Sequence, residues 1–144
     1  MKHALGFLLS LALLPVSAQT AASPPVAVPE EANIPLQEQR IRMGIITLGK
    51  LNQTLSGISD KDSAEAAVAS VLRAGEELRI WAQTFTTLPP LSEAEQSLYE
   101  ERYLPIVRRL NRQIKRQGER LASAEYYGSM NLAGALVRIV HSNQ

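Results

Sequence analysis

A chain of 144 residues with 45% apolar, 20% charged and 5% aromatic side chains has the balance of one globular domain built on aliphatic residues, which excludes a disordered or low-complexity protein. Fifteen basic and fourteen acidic residues leave a formal net charge of +1, and that selects neither an acidic nor a basic partner. The absence of cysteine excludes disulfides, thiolate metal sites, cysteine nucleophiles and a lipid-modified N-terminal cysteine.

Residues 1–18 read as a signal peptide. Lys2 and His3 precede an apolar run, Ala4 to Val16, too short to span a bilayer comfortably, and Pro15 breaks it. Small residues in Val16-Ser17-Ala18 predict cleavage between Ala18 and Gln19, and therefore a periplasmic or secreted mature protein. Residues 19–35, QTAASPPVAVPEEANIP, contain four prolines and predict an extended, flexible tether.

Residues 36–142 carry the periodicity of a helical domain. Ile41, Ile45, Leu48, Leu51, Leu55 and Ile58 recur at steps of three and four and predict a first helix from Leu36 to Leu55, stopped by Gly57. Asp62 with Glu65 three residues later has capping-box spacing and predicts the start of a second helix. Its coiled-coil-like seam of Val68, Val71, Gly75, Leu78, Ala82 and Phe85 ends at Leu88, because Pro89 and Pro90 have no N–H to donate. Ser92 and Glu95 repeat the capping box and start a third helix near Glu93, with its stripe in Tyr99, Tyr103, Ile106, Leu110, Ile114, Gln117, Leu121 and Ala124. That pattern persists to Glu125, and Pro105 inside it predicts a bend. Gly128 then stops the chain, and Ser129 caps a short last helix with Leu132, Ala133, Leu136, Val137 and Val140. No stretch alternates strictly. The predicted fold is all-α, an antiparallel three-helix bundle closed by a short fourth C-terminal helix.

Few residues suggest chemistry. His141 is the only histidine after the leader and lies three residues from the C-terminus, a poor place for fixed acid–base geometry. Glu76-Glu77 and Glu100-Glu101 are adjacent carboxylates, but neighbours on a helix point about 100° apart, and Arg73 and Arg79 stand one turn away as ion-pair partners. Trp81, Phe85, Tyr99, Tyr103, Tyr126 and Tyr127 fit core positions better than a ligand pocket. The distinctive pattern is basic: Arg102, Arg108, Arg109, Arg112, Lys115, Arg116 and Arg120 fall in a sector roughly 140° wide, opposite the apolar stripe of the third helix. Guanidinium groups grip phosphate and carboxylate with two parallel hydrogen bonds, so this face is the candidate anion-binding site. The competing reading is an ordinary solvated face, with arginine stems covering apolar surface and cations matched to the helix macrodipole, although that match reaches only about a turn from the helix end.

The segments ISDKDSAEAA (58–67), LPPLSEAE (88–95) and YYGSMNL (126–132), together with the leader and tether, resemble a group of short exported helical proteins of unknown function in Gram-negative bacteria. The resemblance implies export, and it transfers no catalytic role, because these segments are caps and stops. The expected function is a non-catalytic binding or interaction module of the cell envelope. Its expected partner is another protein, a second copy of the chain, or an anionic component such as lipid phosphate, lipopolysaccharide, acidic glycan or nucleic acid. No cofactor, metal or transmembrane segment is expected in the mature chain, and a carboxylate-based enzyme is the remaining alternative.

Overall fold

The computed structural model describes residues 34–141. The predicted leader, residues 1–18, and the tether up to residue 33 lie outside the described residues, as do the side chains of Val140 and His141. Four helices follow one another: α1 (Leu36–Ser56), α2 (Lys61–Phe85), α3 (Glu93–Ser123) and α4 (Met130–His141), with a tight turn, Glu125–Gly128, before the last. Among the described residues there is no strand, and the fold is all-α.

Local chemistry sets the boundaries. The Ser92 hydroxyl accepts from the Glu95 N–H at 3.3 Å and the Glu95 carboxylate accepts from the Ser92 N–H at 3.0 Å, the reciprocal cap predicted for α3. α2 departs from expectation. Its cap is Asp60, not Asp62: the Asp60 carboxylate accepts from Ser63 N–H at 2.8 Å, and Ser63 Oγ accepts the Asp60 N–H at 3.1 Å. Ile58 explains the earlier start, because it must plunge into the core immediately after α1 and is 1% exposed. Glu65 is thereby released from capping and accepts from Asn131 of α4 at 2.8 Å.

α2 also ends sooner than predicted, at Phe85 rather than Leu88. Thr86 and Thr87 turn their hydroxyls back to the carbonyls of Gln83 and Thr84, and their N–H groups bond three rather than four residues back. Gly57 stops α1 with φ −77°, without using the left-handed region. α3 runs through Pro105 and ends at Ser123, two residues before the predicted limit. The Ser129 hydroxyl accepts from Leu132 N–H at 3.0 Å and caps α4 as expected.

α1 lies between α2 and α3, and α4 packs on α2. The bonds between helices give the directions. Thr47 meets Glu77 and Arg40 meets Trp81, so α1 and α2 are antiparallel; Glu38 meets Tyr103 and Leu55 meets Arg120, so α1 and α3 are parallel. At 100° per residue the α1 positions that touch α2 (Arg40, Gly44, Thr47) and those that touch α3 (Glu38, Arg42, Asn52) point roughly 150° apart. The three long helices therefore run almost side by side rather than closing into a triangle.

The core gathers Leu48, Leu51 and Leu55 of α1, Ile58 of the α1–α2 connection, Val71 and Leu78 of α2, Ile114 and Leu121 of α3, and Leu132, Ala135 and Ile139 of α4. Two glycines permit close packing. A Cβ at Gly44 would collide with the Trp81 indole, and one at Gly75 would stand 2.5 Å from Ile139 Cγ1. The slot at Gly75 turns α4 away from its predicted stripe, burying Ala135 and Ile139 and leaving Val137 53% exposed.

Candidate anion-binding surface on α3

The seven predicted basic residues do not form one population. Arg102 and Arg120 are tied into the fold, Lys115 has an acidic neighbour, and Arg108, Arg109, Arg112 and Arg116 face solvent.

Arg102 belongs to a cluster around Glu38. The Glu38 carboxylate, on the first turn of α1, accepts hydrogen bonds from Tyr103 Oη and, at 2.8 Å, from Arg42, with an Arg102 nitrogen 3.4 Å away. Arg42 also donates to Tyr103 Oη at 3.2 Å, and the Arg102 guanidinium lies 5.9 Å from the Tyr103 ring centroid. Neighbouring side chains cover Glu38 closely, but Arg42 and Arg102 are themselves exposed, so water remains near. The hydrogen bonds therefore outweigh desolvation. Tyr103 foremost, then Arg42, holds the Glu38 carboxyl below the ordinary carboxylate range. Burial, in contrast, pushes the Tyr99 phenol up.

Arg120 closes the opposite end of α1. Its guanidinium donates to the carbonyls of Leu55 at 2.8 Å and Ile58 at 2.9 Å, to Gln117 at 2.8 Å and to Tyr127 Oη at 3.1 Å. At the end of α1 the Leu55 carbonyl receives the Ile58 N–H, at 3.3 Å, from the backbone turn, and Arg120 reaches both it and the Ile58 carbonyl from α3. Such a group is a structural cation.

The remaining arginines differ. Arg108, Arg109, Arg112 and Arg116 are exposed and make no hydrogen bond or ion pair among the described residues, while Lys115 lies 3.8 Å from Glu119. Arg108, Arg112 and Arg116 follow at intervals of one turn, an arrangement that costs a few tenths of a kcal/mol per like-charged contact in an isolated helix. The face is a row of solvated guanidinium groups with free donors.

The other candidates do not converge. Glu76 is gripped by Arg79 through bonds of 2.8 and 2.5 Å on the helix surface. Glu77 accepts from Thr47 at 3.3 Å and lines a shallow, open groove of about 280 Å³ with Lys50, Gln53, Thr54, Ser70 and Arg73. Glu100 accepts from Gln96 at 3.2 Å. The aromatic residues separate into Trp81 with Phe85, centroids 5.0 Å apart, Tyr99 with Tyr103, 6.2 Å apart, and the Tyr126-Tyr127 turn at the far end of α3. Among the described residues no three His, Asp or Glu side chains gather as metal ligands, and no helix is long and apolar enough to cross a membrane.

Sequence reasoning missed Glu38, which looks like any acid in a first helical turn. Its spacing to Arg42 was the available signal, since i and i+4 share a face. Comparison with known families, with curated proteins and with solved structures finds no match for this chain, so the geometry of α3 is what bears on its role.

Proposed function

We propose that this chain is an exported, non-catalytic binding module of the cell envelope, and that the arginine face of α3 is its working surface for an anionic partner. The observation that carries the proposal is the sorting of the basic residues. Arginines needed by the fold, Arg102 and Arg120, are bonded within it, whereas Arg108, Arg109, Arg112 and Arg116 are left solvated in a self-repelling row. Folding alone gives no reason to keep that row, because it opposes helix formation. Phosphate or carboxylate would relieve the repulsion and accept paired hydrogen bonds. The leader-like residues 1–18 and the resemblance to short exported proteins support the envelope as the setting.

Retention on a heparin column tests the surface. Wild type should elute at a salt concentration that falls markedly in a variant carrying Arg108→Gln, Arg112→Gln and Arg116→Gln, because each neutralised anionic contact releases counterions and steepens the salt dependence. Equal elution of the two proteins would defeat the proposal. Amino-terminal sequencing of protein recovered outside the cytoplasm should begin at Gln19, and an intact Met1 form confined to the cytoplasm would overturn the envelope assignment.

A further inference from the structure

The side-by-side arrangement of α2, α1 and α3 has two broad sides. One meets the core through Leu48, Leu78 and Ile114. The other faces outward, and helical geometry fixes what it carries. Turning half a revolution from the core positions at 100° per residue leads on α1 to Gln39, Met43, Ile46 and Lys50, on α2 to Arg73, Glu76 and Ile80, and on α3 to Leu98, Pro105, Arg109, Arg112 and Arg116. Exposure agrees. Met43 is 58%, Ile46 49%, Ile80 48% and Leu98 48% exposed, and the three arginines are exposed as well.

The pairing of α1 with α3 then brings the two chemistries together. Asn52 meets Gln113 and Arg42 meets Tyr103, so each α1 residue lies level with the α3 residue some 61 positions later, which sets Ile46 beside the Arg109 turn. Three of the acids on this side are engaged, Glu76 by Arg79, Glu77 by Thr47 and Glu119 by Lys115, while Glu101 on α3 and Asp62 at the start of α2 stand exposed among the more numerous cations Lys50, Arg73, Arg109, Arg112 and Arg116. The outward side is therefore a basic surface with large aliphatic side chains interleaved.

We infer that this side docks on an anionic phospholipid bilayer, with Arg109, Arg112 and Arg116 on headgroup phosphates and Met43, Ile46 and Ile80 pressed into the boundary with the acyl chains. The inference rests on the proposed arginine surface and names its partner. Charge complementarity selects an anion. The aliphatic residues select a bilayer over a nucleic acid or an acidic glycan, which offer phosphate or carboxylate in water and nothing to receive exposed Ile and Met. Interfacial helices bind through apolar area added to electrostatic attraction, and a flat face of three helices presents both at once.

The test uses the mature chain with vesicles of phosphatidylcholine, alone or mixed with phosphatidylglycerol, and the heparin column in parallel. Wild type should cosediment with the mixed vesicles and stay in solution with phosphatidylcholine alone. A variant carrying Met43→Gln, Ile46→Gln and Ile80→Gln should keep its heparin elution but bind the mixed vesicles at least about tenfold more weakly. All three positions are solvent-facing, so the fold should survive, and an unchanged helical spectrum verifies that. Because the chain lacks cysteine, Met43→Cys can carry a polarity-sensitive dye whose emission should shift to the blue on mixed vesicles, whereas Val137→Cys on α4 should not respond. Heparin or DNA binding without vesicle binding would overturn the bilayer inference and leave the arginine surface standing. Loss of both in wild type would remove the arginine surface as well, and vesicle affinity unchanged in the Gln variant would show that the aliphatic residues do not dock.

Discussion

A closely covered carboxylate must be compensated or protonated, and Glu38 is compensated by Tyr103, Arg42 and Arg102 together. Because those bonds favour the charged form, the Glu38 carboxyl ionises more readily in the folded protein than in the unfolded chain, where it has the ordinary value of about 4.5. Its contribution to stability is therefore present above that value and disappears as the pH falls through the lower folded value. Glu38→Gln keeps the shape and removes the charge. At pH 7 it should cost about 1–2 kcal/mol, the lower part of the range for charged hydrogen bonds, since both arginines are half exposed and screened. Urea unfolding at pH 7 and at pH 3 should show the gap between the two proteins shrinking in acid. A gap of equal size at both values would mean that Glu38 acts through packing.

Between α3 and α4 the chain turns in an unusual way, with Glu125, Tyr126, Tyr127 and Gly128 all at positive φ, from 48° to 77°. For residues with a Cβ this region costs about 1–2 kcal/mol each, and only Gly128 enters it freely. The tyrosines repay their strain by packing on the core, and Tyr127 also receives Arg120, whereas the exposed Glu125 has no such return. Glu125→Gly should therefore stabilise the protein by about 0.5 kcal/mol, strain relief exceeding the extra freedom given to the unfolded chain, and Gly128→Ala should destabilise it by about 1 kcal/mol. Shifts of the urea midpoint in opposite directions would verify this. Loss of stability in Glu125→Gly would show that the turn is not strained at that residue. At this scale the sequence was readable wherever the signal was local. Ser92 with Glu95, Ser129, and the apolar stripes of the three long helices stand where periodicity and capping chemistry put them. Two nested Asp spacings at 60–65 could not be separated without knowing that Ile58 is buried, and the rotation of α4 depended on a slot at Gly75 that belongs to another helix.

The arginine face was legible as a period of about 100°, but which arginines it keeps was not, because Arg102 and Arg120 find their partners more than 60 residues away. The same long-range bonds divide the molecule into two unlike ends. Toward the α1 C-terminus, Leu55, Ile58, Val71, Leu121 and Leu132 are fully buried and drawn from every helix, and Arg120 ties α1 to α3. Toward the α1 N-terminus the cohesion is polar and aromatic: the Glu38 cluster, Trp81 donating to the Arg40 carbonyl, and Gln37 reaching the Pro89 carbonyl at 3.4 Å. Ile41 and Ile45 there are only half-buried. Apolar burial is the dominant favourable term in folding, while individual polar bonds add about 1 kcal/mol each, so the two ends differ in the free energy needed to open them. Native-state hydrogen exchange should find the slowest amides, those opening only with global unfolding, at residues 51–55, 71–75 and 117–121. Amides at 39–45 and 99–105 should exchange through a smaller opening, one that Glu38→Gln enlarges without accelerating the first group in proportion. Uniform protection along α1 would refute that division and make the whole assembly a single cooperative unit.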